Sequence, residues 1–194
     1  MKRTFVMLMG PGMIGKSTAA RAVCKDNPEI ALLTNDELMH KLFALGRQDV
    51  NMPINEMEKW RTSVNQNADC DNLIRLLHRD FISCNSSRSV VLAEGYAYMK
   101  EWYRQHVFSG LGQLSGGFDF WILKYTPPLE EQKRRRQSKY VQFGWSAEPE
   151  FHEQELLKAW SNYEGPTTNT AELHEVNDST LAEMIIKIKQ SSQG

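Results

Sequence analysis

One glycine-rich segment near the start of the chain constrains the fold more than any other feature of the sequence. Residues 10–17 read GPGMIGKS and match the pattern G-x-x-x-x-G-K-[S/T]. They follow a short apolar run at residues 4–9, typical of a buried strand, and precede a helical pattern at residues 17–25. Glycines let a backbone turn its N–H groups inward, and the positive end of the following helix points to the same place. The segment therefore predicts a phosphate-binding loop at the end of a first strand.

The residue types within this segment, which we call the phosphate loop, fit the binding of a nucleotide. Lys16 would reach the β- and γ-phosphates, and the Ser17 hydroxyl would ligate Mg²⁺. The alternative structural interpretation is a glycine turn that carries an exposed lysine. The strand before the segment and the helix after it favour the phosphate loop. The predicted nucleotide-binding residues are Gly10, Pro11, Gly12, Met13, Ile14, Gly15, Lys16, Ser17 and Thr18.

The rest of the chain alternates short apolar runs with helical patterns. Further strands are predicted at residues 31–34, 90–93, 118–125 and 173–177. Helices are predicted at residues 37–45, 53–81, 101–107, 150–162 and 181–189, with a loop at 110–117. Such an order favours an α/β fold of three layers, in which helices cover both faces of a five-stranded, mostly parallel sheet. We expect a single domain over residues 1–194, with ligands bound beyond the carboxyl ends of the strands.

Composition excludes several classes of protein. The chain has 23 Lys and Arg against 24 Asp and Glu, so a net charge of −1 removes a global excess of positive charge as an argument for nucleic acid. The net charge does not exclude a local basic patch. No apolar run approaches the ~20 residues of a membrane-spanning helix, and the first apolar stretch ends at Met9, too early for a signal peptide. We therefore expect a cytoplasmic protein without membrane contact.

The cysteines and histidines do not form a recognisable metal or disulfide pattern. The three cysteines are far apart in the sequence and indicate reduced thiols: Cys24, Cys70 and Cys84. Four histidines follow no metal-ligand spacing, and we expect them on the surface: His78, His106, His152 and His174.

The phosphate loop, so close to the N-terminus of a short chain, resembles that of the small P-loop kinases. These include nucleoside-monophosphate kinases, small-molecule phosphotransferases and the kinase domain of polynucleotide 5′-hydroxyl kinases. The resemblance covers most of the chain in the order of its elements. It implies the P-loop kinase fold with a helical lid at about residues 128–150, ATP as the phosphoryl donor and Mg²⁺ as the metal. This sequence departs from the family at Met13 and Ile14, where the family has small residues.

An acidic residue follows the second predicted strand. Residues 32–37 read LLTNDE. In the polynucleotide-kinase branch, an Asp at this place accepts the proton of the attacking hydroxyl, and Asp36 stands at the matching position. The resemblance thus implies that Asp36 is the base and contacts the acceptor. The alternative is a helix cap, which Asn35 supplies equally well. The arginine with which the branch grips a phosphate of the acceptor is absent, since Met39 or His40 stands there.

Three further segments lie where the ligand-binding edge is predicted. Glu94 directly follows the third strand, where it would hold a magnesium-bound water or hydrogen-bond the acceptor; the alternative is a surface carboxylate. Trp102 and Trp145 lie in or near less regular segments on the acceptor side, where their rings would stack on a base, with core packing as the alternative. Residues 177–179 follow the fifth strand, where the family borders adenine.

A basic helix follows the fourth strand. Pro127 and Pro128 precede the run KRRR at residues 133–136. In the family, a proline at this place precedes a helix whose arginines close over ATP. Arg135 and Lys139 are four residues apart, which places them on one helix face, so both are predicted to neutralise the transferring phosphoryl group. Arg134 and Arg136 are predicted as further nucleotide contacts. A solvated basic helix face is the alternative.

These observations predict an ATP-dependent kinase that transfers the γ-phosphoryl group to a hydroxyl. A nucleic-acid or nucleotide acceptor is favoured, because four consecutive basic residues would attract a polyanion. A phosphotransferase acting on a small molecule, such as a sugar, a nucleoside or an antibiotic, is the first alternative. The second is a nucleotide-hydrolysing regulatory module, although the sequence carries no evident DxxG after a strand.

Overall fold

A computed structural model describes residues 3–34, 37–38, 68–112, 114, 117–145, 148–163 and 171–191 of the chain. The strands are β1 (Arg3–Met9), β2 (Ile30–Thr34), β3 (Val90–Glu94), β4 (Phe118–Tyr125) and β5 (Ala171–Val176). The helices are α1 (Lys16–Asp26), α2 (Ala68–Cys84), α3 (Glu101–Leu111), α4 (Leu129–Gln142), α5 (Pro149–Ser161) and α6 (Leu181–Ser191). A 3₁₀ turn, Ala97–Met99, joins β3 to α3. The predicted helix at 37–45 and the first part of the one at 53–81 lie largely outside these residues.

The five strands form one sheet in the order β2-β3-β1-β4-β5, and every neighbouring pair is parallel. The prediction of a parallel α/β sheet is confirmed. Because all strands run in one direction, their carboxyl ends meet at a single edge of the sheet. Leu8 of the central strand pairs with Glu94 of β3 on one side and with Leu123 of β4 on the other. The segment that follows β1 therefore begins at the middle of this edge.

The sheet is covered on both faces, which explains the continuous apolar sequence of its central strand. Phe5 and Met7 of β1 face one core, which α2 and α3 cover with Leu77 and Val107. The intervening residues of β1 face the other core, which α1, α5 and α6 cover. Both cores reach the carboxyl edge of the sheet. Within the described parts of the chain, no helix has the length and apolar character needed to cross a membrane.

Two of the histidines expected on the surface are buried, so this prediction was wrong for them. His78 and His152 are 0% and 1% exposed. The Nε2 atom of His78 lies 3.0 Å from the Tyr98 hydroxyl, and a hydrogen-bonded neutral imidazole can be buried at little cost. The loop predicted from residue 110 also begins later, because α3 continues to the fully buried Leu111. In both cases tertiary packing decides the outcome.

Candidate nucleotide-binding site

The phosphate loop has the backbone geometry that its glycines permit. Gly10 has a φ of 155° and Gly15 a φ of 101°, both in the region that favours glycine. A Cβ atom added to Gly10 would lie 3.1 Å from the carbonyl oxygen of Tyr125, so the loop packs too closely on β4 for a side chain there. Met13 also has a positive φ, of 65°, although it is not glycine. The loop thus combines two glycines that its geometry requires with one residue that it strains.

Lys16 is directed into the loop. It is the first residue of α1, its exposed fraction is 6%, and its Nζ atom donates a hydrogen bond of 2.6 Å to the carbonyl oxygen of Pro11. The alternative interpretation of an exposed lysine is therefore wrong. Ile14 is fully buried in the core below the loop, whereas Thr18, two residues into α1 after Lys16, is exposed. The ammonium group is held by loop backbone at the place where a phosphate would bind.

Ser17 and Glu94 meet at the carboxyl edge of the sheet. The Ser17 hydroxyl donates a hydrogen bond of 2.9 Å to Oε1 of Glu94. Glu94 is the last residue of β3 and only 3% exposed, so the alternative of a surface carboxylate is wrong. A hydroxyl and a carboxylate are hard oxygen ligands, which Mg²⁺ prefers. These two side chains therefore fit the predicted metal.

Arg135 connects α4 to three other parts of the site. Its guanidinium donates to the carbonyl oxygen of Ile14 at 3.0 Å, to the Tyr125 hydroxyl at 3.0 Å and to Oδ2 of Asp178 at 2.6 Å. Its Nε atom donates to Glu131 at 2.6 Å. The hydrogen bond to Asp178 raises the pKa of Arg135, so its positive charge is permanent. One side chain thus joins the phosphate loop, the end of β4 and the turn that follows β5.

Arg135 also covers the third glycine of the loop, Gly15. A Cβ atom added to Gly15 would collide with the Arg135 guanidinium. The base of α4 therefore rests directly on the phosphate loop.

We compared the sequence and the fold with those of known proteins. No family model and no curated protein matches the sequence. Solved structures match over nearly the whole chain. A shikimate kinase from Acinetobacter baumannii, in complex with shikimate, has a TM-score of 0.51 at 19% identity, covering 97% of this chain and 94% of that one. A gluconokinase from Sinorhizobium meliloti 1021 has a TM-score of 0.52 at 15% identity, covering 98% and 93%.

An APS kinase from Mycobacterium tuberculosis has a TM-score of 0.53 at 15% identity, covering 97% of this chain and 98% of that one. The chain has the fold of the small P-loop kinases. In this P-loop kinase fold the phosphate loop follows the central strand, as the sequence predicts.

Two other basic residues of α4, Arg134 and Lys139, do not reach the loop as predicted. Arg134 is 68% exposed at its side chain and forms hydrogen bonds with Glu131. These bonds, with those from Arg135, lower the pKa of Glu131 to about 2. Lys139 is exposed, and among the described residues no contact joins it to the loop. The structure therefore brings Arg135 to the P-loop, but not Lys139 on the same predicted helix face.

Two predicted residues cannot be placed. Asp36, the predicted base, lies outside the described residues, and so does the side chain of Trp102, whose backbone belongs to α3. Two residues to which the sequence analysis assigned no role, Tyr125 and Glu131, form hydrogen bonds with Arg135. Tyr125 lies at the carboxyl end of a strand, where ligands bind in parallel sheets, and this position could have marked it as a candidate.

Tyr125 makes this part of the site sensitive to alkaline pH. It is fully buried, and its hydroxyl donates a hydrogen bond of 2.5 Å to Asp178. Burial, and next the hydrogen bond to Asp178, raise the pKa of Tyr125 from 10 to about 12. Because the neutral phenol is favoured in the folded state, its contribution to stability is complete below pH 10 and is lost as the pH rises to about 12.

We therefore expect the difference in unfolding free energy between the wild type and Tyr125→Phe to shrink between pH 10 and about 12. Denaturant titrations of both proteins at several pH values measure this difference. A difference that stays constant across the interval would show that the phenol does not ionise in this way.

Proposed function

We propose that the protein is an ATP-dependent kinase that transfers the γ-phosphoryl group of ATP to a hydroxyl. The cluster of Lys16, Ser17 and Glu94, in which the lysine and the glutamate are buried, carries the proposal. It puts an ammonium group and two hard oxygen ligands at one point of the phosphate loop. The P-loop kinase fold supports it independently. No other group of described residues offers the same combination.

Each part of the site has a step to perform. Lys16 and the backbone N–H groups of the loop bind the β- and γ-phosphates, helped by the positive end of α1. Ser17 and Glu94 would hold Mg²⁺, with Glu94 acting directly or through a water. The bound metal supplies positive charge beside the phosphate oxygens. Arg135 faces the same loop and stabilises charge that develops on the transferring group. Asp36 accepts the proton of the acceptor hydroxyl.

The charges around α4 support a small molecule as the acceptor. Lys133 pairs with Glu130 at 3.1 Å and with Glu153 at 3.0 Å. Arg134 and Arg135 both bind Glu131, as described above. Three of the four residues of the basic run that predicted a polyanionic acceptor are thus paired with carboxylates, and the fourth, Arg136, is buried. Little exposed, uncompensated charge is left in the run to attract a polyanion. The gluconokinase and the shikimate kinase bound to shikimate carry names of small-molecule kinases, which agrees with this choice.

A nucleic-acid acceptor is the second candidate, because aromatic rings are exposed at the far end of α4. Phe143 is 56%, Trp145 37% and Phe151 40% exposed. The ring centroids of Phe143 and Trp145 lie 5.0 Å apart. Exposed rings of this kind stack on single-stranded bases, and the exposed Lys139 lies on the adjoining turn of the helix. The same cluster also carries acidic neighbours at Glu148 and Glu150, which oppose a polyanion.

A transfer screen with labelled ATP separates these candidates. Polyols and hydroxy acids, nucleosides and short single-stranded oligonucleotides are offered as acceptors, and transfer to a small acceptor is expected to be the fastest. We expect the KM of a neutral small acceptor, at saturating ATP, to stay constant between low and physiological salt.

The KM of an oligonucleotide would instead rise severalfold over the same interval, because phosphate contacts release counterions. Such a rise, together with transfer to oligonucleotides that is faster than to small acceptors and is slowed by Trp145→Ala, would decide for the nucleic-acid acceptor. Hydrolysis of ATP without acceptor, as fast as any transfer, would contradict the kinase proposal and favour a regulatory module.

A further inference from the structure

Met13 has an unfavourable backbone conformation directly after the peptide that joins it to Gly12. It is, within the described segments, the one residue other than glycine with a positive φ. The left-handed region is disfavoured for a residue with a side chain, and such a conformation persists only where surrounding contacts determine it. This part of the loop therefore needs an external contact to hold it.

Arg136 makes that contact. Its NH1 atom donates a hydrogen bond of 3.1 Å to the carbonyl oxygen of Gly12, from a helix 124 residues further along the chain. The carbonyl of Gly12 and the N–H of Met13 belong to the same trans peptide, so they point in opposite directions. When the carbonyl is held towards α4, the N–H of Met13 must turn away from α4. The orientation of one loop N–H is thus set by a side chain of another element.

The surroundings of Arg136 fit a fixed support. Its exposed fraction is 8%, compared with 68% for the side chain of its neighbour Arg134. Its guanidinium lies 6.0 Å from the ring centre of Tyr140, and that ring packs edge-on against His152 at 4.8 Å. Burial, and next the charge of Arg136, lower the pKa of His152, so the imidazole beside the guanidinium is neutral at physiological pH.

We propose that Arg136 is a positioning residue of the phosphate loop, which holds the strained Gly12–Met13 peptide so that the Met13 N–H faces the nucleotide phosphates. This assigns Arg136 a role different from the direct nucleotide contact predicted from the sequence. The part that concerns phosphates rests on the proposed function. The part that concerns the peptide does not, so the two can fail separately.

Binding of Mg–ADP, measured by isothermal titration calorimetry, tests the first part. We expect Arg136→Met to raise the Kd about tenfold, because a hydrogen bond from a charged group is lost. Arg136→Lys keeps a donor and is expected to recover part of the affinity. The matched control is Arg21→Met, an exposed arginine on α1, with the wild-type Kd expected. Unchanged affinity in Arg136→Met would overturn the positioning role, provided that the wild type binds.

A second substitution tests whether Arg136 acts through the strained peptide. Glycine adopts the conformation of residue 13 without cost, so Met13→Gly should remove most of the need for the arginine. We expect Arg136→Met to raise the Kd less than about threefold in the Met13→Gly background. A loss of the same size in both backgrounds would show that Arg136 acts in another way.

A spectroscopic measurement without ligand tests the peptide alone. In protein labelled with ¹⁵N-methionine, the Met13 amide signal is assigned by its disappearance in Met13→Gly. We expect this signal to shift in Arg136→Leu, which removes the donor without adding a labelled methionine, and to move back towards its wild-type position in Arg136→Lys. A signal that does not move would overturn the proposal even if the variant binds weakly. A signal that moves in a protein whose wild type binds no Mg–ADP would instead contradict the proposed function and leave the positioning role standing.

Discussion

Lys16→Met is expected to lower ATP-dependent turnover by about 10²- to 10³-fold while the fold survives. In the proposed function the ammonium group of Lys16 binds the phosphates, so its loss would remove charge stabilisation from the transferring group. Methionine keeps an unbranched apolar chain in the buried channel that Lys16 occupies. The loop itself depends on backbone geometry at Gly10 and Gly15, so its shape should persist. Turnover of ATP and circular dichroism of the variant measure the two effects.

The control for this substitution is Lys25→Met, which replaces an exposed lysine near the end of the same helix. It repeats the chemical change away from the loop, and wild-type turnover is expected. If Lys16→Met turns over ATP at nearly the wild-type rate, the central role given to the phosphate loop is wrong.

Asp36→Asn is expected to lower kcat by about 10²- to 10⁴-fold, the usual contribution of a general base, with little change in the KM for ATP. Asparagine has the same shape and caps a helix as well as aspartate, so the substitution removes proton acceptance alone. Steady-state kinetics with saturating acceptor measure both constants. A fall in kcat of less than about threefold would leave Asp36 with the role of a helix cap.

Asn35→Ala is the companion variant, because it removes the other side chain predicted to cap the helix without touching the predicted base. We expect it to lower stability by about 0.5–2 kcal/mol and to keep most of kcat. The opposite pattern, with kcat lost at Asn35 and kept at Asp36, would exchange the roles of these two neighbours.

The features that the sequence predicted are those encoded by contiguous residues. The strand, the phosphate loop and the helix that follows it are specified within residues 3–26, and the structure has them there. The partner of Ser17, by contrast, is 77 residues away, and that of Arg135 is 43 residues away. Such pairings depend on the order of strands in the sheet. The hydrophobic periodicity of the sequence predicts each strand or helix but not that order.

Helix α4 shows most clearly what the sequence pattern does not predict. Its sequence is polar nearly all round, so no apolar stripe indicates which face turns inward. The structure buries Gln132 and Arg136, whose partners are a carbonyl of Pro127 and one of the loop. The inward face is thus selected by hydrogen bonds. The four-residue spacing predicted Arg135 and Lys139 as a pair. Arg135 contacts the phosphate loop, whereas no contact among the described residues joins Lys139 to it.

The approach of Arg135 to Gly15 has a consequence for how this site can change during evolution. Glycine at position 15 is required by its positive φ, and a Cβ atom there would in addition make the Arg135 guanidinium shift. The requirement set by φ does not depend on Arg135, so the glycine would outlast the loss of the arginine. Position 135 carries no comparable requirement from its backbone. Divergence at this contact is therefore free to begin on the helix, whereas the loop keeps its motif long after its neighbour has changed.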